Sequence, residues 1–421
     1  MLSERLVSGL GVLAILGLSA ALCPRARRAH LQLRTVGGGL LLLLVMAALV
    51  LKTPLRAVFG WASKVVDRLL EFSHEGASFV FGPLADAKGF GFVFAFQVLP
   101  TIVFFSALMS IGYHIGLMPW LVRQLGRLLA RLLGVSAVES LSTVADIFVG
   151  QTEAPLVIKP YLSGLTLSEL MACMTAGFAT TAGGVLAAYV LMLREHVPDI
   201  AGHLISCSVM AAPASLVVAK LMLPEDQPRA VHDEARLALS TEPGQGAASG
   251  LLDAITLGTS DGLRLAVNVG AMLISFLALT ALVDLSLHWL TGLFLAQPVG
   301  LVQLLGFLFS PLAWLMGVPL EDVPKVASLL GQKTVLNEFV AYSTMSEQLA
   351  RDPHWLSERG RVIASYALCG FANFGSIGIQ IGGYAALAPE RRADLTRLGP
   401  RAMFAGLLTT CLVACVAGLF L

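Results

Sequence analysis

Residues 150–153 read Gly-Gln-Thr-Glu, which sets an amide (Gln151), a hydroxyl (Thr152) and a carboxylate (Glu153) on consecutive positions just ahead of Pro155. Such a set can both donate to and accept from a flat polar ring. A second polar pair, Asn337 and Glu338, stands in another apolar segment. Asn373 and Ser376 follow it, three residues apart and so on one face if that turn is helical. A carboxylate accepting from two neighbouring hydroxyls matches a sugar diol, because charge-assisted hydrogen bonds are the strong ones. Together these groups suit a neutral, polyhydroxylated, partly flat solute. Each glutamate also has a plainer reading, as a structural ion pair with Lys159 or Lys333.

The elements that must position these groups belong to a membrane. Of 421 residues 56% are hydrophobic and 13% charged, about half the charged share of a soluble protein. That leaves too little polar side chain to cover a soluble fold of this length. The net charge of +1, from 28 basic and 27 acidic residues, excludes a nucleic-acid surface as the main business. The apolar runs are long and unbroken, unlike the ten-residue alternation of a β-barrel. Cys23, Cys173, Cys207, Cys369, Cys411 and Cys415 lie in apolar stretches with no CxxC spacing, and the eight histidines form no HxxxH or HExxH motif, so unpaired core thiols and no metal centre are expected.

A spanning helix needs about 20 apolar residues. Candidates lie at 5–23, 36–52, 90–112, 168–194, 200–223, 262–296, 361–386 and 402–421. The small residues Ser19, Ala20 and Ala21 would also suit a signal peptide, but the apolar run that follows at once favours a helical hairpin. Residues 55–83 mix Trp61, Lys64, Asp67, Arg68 and Glu71 with apolar positions, the pattern of an interfacial helix. Residues 120–134 place Arg123, Arg127 and Arg131 on one face of a basic amphipathic helix. The positive-inside rule assigns 24–34, 119–131 and 391–401 to the cytoplasm, and eight spans then turn both termini outward. Residues 224–248 are the one polar stretch and separate two halves.

Two segments resist being ordinary spans. Residues 137–165 carry Asp146, Glu153, Pro155 and Pro160, and residues 322–349 carry Lys333, Asn337 and Glu338, all mid-segment. A charge at bilayer depth costs about 2.5–3.5 kcal/mol, and broken backbone there must be buried in protein or line a cavity. Both segments therefore read as re-entrant hairpins whose tips meet inside the protein, with surface loops as the alternative. Each precedes a glycine-rich interruption, GFATTAGGV at 177–185 and GFANFGSIG at 370–378, and then a further span. A repeated hairpin, interrupted helix and helix is the sequence mark of a transporter's midplane site.

GQTEAPLVIKPYL (150–162), MTAGFATTAGGV (174–185), LNEFVAY (336–342) and GFANFGSIGIQIGG (370–383) together resemble the concentrative nucleoside transporter family, as do FAFQVLPTIVFFSALMSIGYHIGLM (94–118) and SPLAWLMGVP (310–319). The resemblance runs in order over about 90–386. It implies an all-α polytopic fold with eight transmembrane helices, two re-entrant hairpins in an inverted repeat and interfacial helices, assembled as a homotrimer in the bacterial inner membrane. It implies scaffold helices and an interfacial helix in 1–118, the first half of a transport domain in 119–223, a connector and scaffold helix in 224–300, and the second half of the transport domain in 301–421. The activity implied is nucleoside import by symport with sodium or protons through elevator-like movement, with no enzymatic step, no cofactor and no nucleic-acid partner. By the family pattern Gln151, Thr152, Glu153 and Val185 take the nucleobase, and Glu338, Asn373, Ser376 and Phe371 take the ribose.

The family's sodium site draws on backbone carbonyls and an Asn five residues before the Gln. Here that position is Asp146; Val149 matches, and Thr180 and Thr181 replace the usual Ser-Ile pair at the helix break. An aspartate offers a hard oxygen ligand for sodium, and equally a carboxylate that is neutral when loaded and ionised when empty would carry a proton. Sodium is the favoured reading, since the rest of the site keeps its oxygen ligands. Rival classes are a non-transporting gate or sensor of the same fold, a passive channel, and an intramembrane hydrolase using Glu153 and Glu338 as a carboxylate pair. Five polar groups retained at depth speak against the first, opposed hairpin tips against the second, and the lack of any metal or nucleophile motif against the third.

Overall fold

The computed structural model describes residues 2–52, 56–86, 93–226, 249–295 and 297–421. Most of the connector read at 224–248 lies outside them, as does the side chain of Trp61. Helices α1 (Leu2–Ala21) and α2 (Leu33–Lys52) are parted by Pro24 and a basic turn at Arg25–His30. Helix α2 buries Thr35, Gly39, Leu43, Ala47 and Val50, a stripe at helical spacing. Helices α3 (Arg56–Phe81) and α4 (Phe94–His114) pack together, and the Ser73 hydroxyl donates to Thr101 at 3.2 Å. Helix α5 (Leu117–Leu133) is bounded by left-handed Gly116 and Gly134 and buries Val122, Gly126, Leu129 and Leu133. Its Arg127 and Arg131 are exposed, as its basic amphipathic pattern predicts.

Two units of the same order then follow. In the first, α6 (Ala137–Phe148) descends to a turn at Gly150, and α7 (Ala154–Val157) with the Lys159–Gly164 turn returns from it. Next come α8 (Leu167–Ala179), a break at Thr180–Ala182, α9 (Gly183–Leu193) and α10 (Ile200–Met222). Reciprocal caps start α6 (Ser136 with Glu139) and α8 (Thr166 with Glu169), satisfying backbone donors that would otherwise be orphaned in an apolar setting. After α11 (Leu251–Gly292) and α12 (Leu301–Leu315), the second unit repeats the order. Helices α13 (Val323–Val335) and α14 (Glu338–Arg351) form its hairpin, α15 (Glu358–Leu368) and α16 (Phe374–Leu387) flank a break at 369–373, and α17 (Arg392–Phe420) closes it.

Among the described residues, seven helical stretches are long and apolar enough to cross a membrane. The remaining expected span, 361–386, is the broken pair α15 and α16, neither long enough to cross alone. The break in α8/α9 interrupts 167–193 in the same way. Helix α11 begins eleven residues before the expected 262 and runs for 42 residues, about 63 Å of helix. Asp253 and Asp261 shorten the apolar run in the sequence, yet Asp261 is exposed and neither interrupts the helix.

Arg5 donates to the carbonyl of Leu421 at 2.7 Å, so the described ends of α1 and α17 share one face. At the opposite face Arg401 donates to the carbonyls of Leu22 and Met222, Arg34 to that of Arg131, and Arg391 to those of Leu162, Ser163 and Leu165. The basic segments picked out by the sequence thus gather at one end. Beneath them lies a buried ion pair, Lys220 Nζ to Glu139 at 2.7 Å, with Ser168 accepting from the same ammonium at 2.9 Å. All six cysteines are buried and unpaired.

Candidate functional site

Each hairpin tip is held by the broken helices of both units. At the first tip, Gly150 adopts φ +93, a conformation open to glycine, and lies against Ala182 in the α8/α9 break. This turn presents Gln151, which is buried, and Thr152 and Glu153, which are exposed. Gln151 Nε2 donates to Ser376 Oγ at 3.2 Å, and Gln151 Oε1 accepts from Gln380 Nε2 at 3.1 Å. Ser376 and Gln380 are one turn apart on α16, so that helix grips both ends of the glutamine amide.

At the second tip Asn337 caps α14, its Oδ1 accepting from the Val340 amide at 3.0 Å. That places Glu338 at the start of the helix with 3% exposure. Its carboxylate accepts from Tyr189 OH at 3.1 Å, on α9 of the first unit, and from Asn373 Nδ2 at 3.0 Å, in the break of its own unit. Asn373 in turn caps α16 by accepting from the Ser376 amide at 2.8 Å. One cap thus orients Asn373 toward Glu338 and starts the helix that carries Ser376. Val185 in the first turn of α9 and Phe371 in the second break are both buried.

The two breaks also touch. Gly370 has φ +122, and a Cβ there would stand 2.7 Å from the Ala179 carbonyl, so only glycine admits this approach. Beside the contact, Thr181 Oγ1 and Cys369 Sγ are 3.4 Å apart. Breaking a helix leaves its last carbonyls without intrahelical donors, which makes the end of α8 rich in oxygen.

Asp146 lies in the last turn of α6 with 1% exposure, and neither carboxylate oxygen has a hydrogen-bond partner among the described residues. Its Oδ1 lines the same spot on α8, Gly177, as Gln151 Cβ and Gln380 Nε2. A buried carboxylate without a donor is costly unless a cation or a proton neutralises it. Val149 ends α6 close by in the chain. The hydroxyl of Thr180 donates to the Ala176 carbonyl at 2.9 Å, and that of Thr181 faces Cys369.

Lys333, wholly buried on α13, donates to the Ala367 carbonyl at 2.8 Å and to Thr410 Oγ1 at 3.0 Å. No ion pair joins it, or Lys159, to Glu153 or Glu338 among the described residues. Two polar groups of the site escaped the sequence reading. Tyr189 sits in an apolar helix without a nearby motif. Gln380 carries a faint signal, being a lone amide four residues after Ser376 in an apolar, glycine-rich run.

Family profiles match nearly the whole chain. Residues 10–84 and 203–418 match the N- and C-terminal parts of the Na+ dependent nucleoside transporter, and residues 95–195 match a gate described as nucleoside recognition. The chain is 44% identical to the uncharacterized transporter YutK of Bacillus subtilis over 98% of both sequences. It is 41% identical to sodium/nucleoside cotransporter 1 of Rattus norvegicus over 99% of this chain, which spans 64% of the rat protein. Its fold superposes on CNTnw in an inward-facing substrate-bound state with a TM-score of 0.90 and 41% identity, covering 99% of this chain and 98% of that one. An outward-facing form of CNTnw gives the same TM-score, with 41% identity and 99% and 97% covered.

Proposed function

Because the chain belongs to the concentrative nucleoside transporter family, we propose that it imports nucleosides across a bacterial inner membrane as a cation-driven symporter, with sodium favoured over the proton. It is a transporter and not an enzyme. The observation that carries the reading is the convergence of Gln151, Glu338, Asn373 and Ser376, drawn from both units, at two touching helix breaks. Gln151, Thr152, Glu153 and Val185 contact the base. Glu338, Asn373 and Ser376 bind the ribose hydroxyls, with Phe371 against the sugar. The carboxylate of Glu338 already accepts from two donors, and its remaining lone pairs suit a diol.

Asp146, Val149 and the Thr180–Thr181 break take the cation. The unpartnered Asp146 carboxylate supplies charge, and the freed carbonyls at the end of α8 supply neutral oxygen ligands. A cation drives uptake only if its occupancy changes substrate affinity or the reorientation of the empty carrier. Gly177 offers that linkage a physical form, because Asp146 Oδ1 and Gln151 Cβ both border the position a Cβ on Gly177 would take. The two hairpins with their broken helices move as an elevator-like transport domain, formed from 119–223 and 301–421, past a scaffold formed from 1–118 and 224–300. The protein assembles as a homotrimer. The basic end faces the cytoplasm, and both termini face outward.

The test is uridine uptake into proteoliposomes under sodium and proton gradients imposed separately. Uptake that follows sodium alone, and loses its sodium dependence in Asp146→Ala, supports the reading. Uptake driven by protons without sodium transfers the coupling role of Asp146 to the proton. A failure of both gradients to drive uridine or any purine nucleoside refutes transport and leaves the gate or sensor alternative.

A further inference from the structure

Gln380 is wholly buried in α16, and its side-chain nitrogen serves two acceptors, the Met174 carbonyl at 3.1 Å and Gln151 Oε1 at 3.1 Å. A carboxamide can be turned end for end without changing its shape, so only its partners decide which end is the donor. Here the decision is made by the backbone. The Met174 carbonyl can only accept, so Gln380 must show it the NH2 end. Gln151 must then turn its oxygen to Gln380, and its own nitrogen is left to face Ser376 Oγ. The polarity of the first tip is thus handed down a chain of hydrogen bonds from a helix carbonyl through a residue that itself touches no solute.

We propose that Gln380 is a specificity-determining positioning residue: it locks the Gln151 amide so that the first tip offers a base an N–H donor and not a carbonyl acceptor. The proposal rests on the reading of Gln151 as a base contact. One N–H of Gln151 goes to Ser376, and the second is directed to the solute. A base edge bearing a carbonyl, as in uridine, satisfies that donor. An edge bearing an exocyclic amine at the same position, as in cytidine, sets donor against donor and leaves both unpaired.

Gln380→Glu has the same shape and the reverse polarity. An ionised carboxylate only accepts. A protonated one spends its single O–H on the Met174 carbonyl, leaving a lone pair toward Gln151. In either state Gln151 turns its nitrogen to residue 380 and its oxygen to the solute. Gln380→Met removes the instruction and lets the amide take either sense.

Both variants and the wild type are to be reconstituted in proteoliposomes, with assembly checked by size-exclusion chromatography. Uptake is measured for uridine, cytidine and 3′-deoxyuridine under the driving gradient. The cytidine-to-uridine ratio of kcat/KM is expected to rise by about tenfold in Gln380→Glu and by a smaller factor in Gln380→Met. The uridine to 3′-deoxyuridine ratio, which reads the ribose side, is expected to move less, because Ser376 alone of the ribose contacts is bonded to Gln151. A general loosening of the fold moves both ratios alike, whereas a polarity lock moves the first the more. An unchanged cytidine-to-uridine ratio in an assembled variant overturns the proposal; should Gln380→Glu not assemble, Gln380→Met decides alone. Wild-type vesicles that take up no nucleoside refute the transporter reading and the proposal together, which separates that failure from the failure of Gln380 alone.

Discussion

Replacing Gly177 by alanine adds one methyl group where three functional side chains meet. Its Cβ would stand 2.7 Å from Gln380 Nε2, 3.1 Å from Gln151 Cβ and 3.4 Å from Asp146 Oδ1. The first distance is shorter than real Cβ contacts allow, and Gln380 must withdraw. Its side chain is flexible, so the movement itself is cheap, but it ends the bonds to Gln151 and to the Met174 carbonyl. At about 0.5–1.5 kcal/mol net for each bond, the loss is about 1–3 kcal/mol. Alanine in a helix interior returns about 0.8–1.0 kcal/mol relative to glycine. Stability therefore falls by no more than about 2 kcal/mol, and the protein still assembles.

Binding suffers more than folding, because the bond that orients Gln151 is one of the two lost. Nucleoside affinity is expected to drop about tenfold, and the cation concentration for half-saturation to rise with it, since the methyl group also crowds Asp146. Isothermal titration of the purified protein with uridine, repeated across cation concentrations, measures both. Gly378→Ala is the control: it makes the same chemical change on α16, where an added Cβ meets nothing within 4 Å, and it should leave both constants alone. A Gly177→Ala protein that assembles and titrates like the wild type would refute the idea that this glycine joins the cation carboxylate to the base contact.

Glu338→Gln removes a charge that accepts from Tyr189 and Asn373, and with charge-assisted bonds contributing about 1.5–3 kcal/mol it should weaken nucleoside binding about ten- to a hundredfold; an unchanged dissociation constant rejects the ribose assignment. Glu139→Leu strips a buried lysine of its 2.7 Å partner and should cost about 3–5 kcal/mol, read as a lower thermal midpoint. The double variant with Lys220→Leu should recover the part of that loss due to the stranded lysine but not the part due to the lost cap on Ser136, and equal midpoints for single and double variants would count against a coupled pair. Gly370→Ala forces an L side chain into φ +122 against the Ala179 carbonyl, a strain of about 1–3 kcal/mol before the clash is counted. Its size-exclusion profile and melting curve should both deteriorate, and a wild-type melt would show that the breaks can separate at no cost.

The hairpins were legible because charge in an apolar run has few explanations. Asp146, Glu153, Lys333 and Glu338 are expensive at depth, so their presence marked where the chain must fold back on itself. The breaks were legible for a related reason: threonine and glycine follow α8, and glycine and asparagine follow α15, where both stop short of spanning lengths. The start of α11 was not, since a helix exposed along much of its length tolerates Asp253 and Asp261 that an apolar-run criterion rejects. Gln380 was beyond reach for a different reason. Its bond to Gln151 crosses 229 residues of sequence, and no local pattern says which helix a buried amide will face.

That long-range bond bears on how the molecule is built. The repeat predicts two similar halves, and each half taken alone would hold a hairpin against its own broken helix. The structure keeps such contacts, Gly150 against Ala182 and Glu338 with Asn373, and adds exchanged ones that tie the first tip to Ser376 and Gln380 of the second unit and the second tip to Tyr189 of the first. Neither half completes a site. On the proposed assignment, a solute bridging base and ribose contacts closes both exchanges at once, and a cation at Asp146 acts on the first through Gly177. Coupling on that proposal requires no long pathway: the Asp146 carboxylate and the Cβ of Gln151 border a single glycine, and what one side gains in order the other side is given at lower entropic cost.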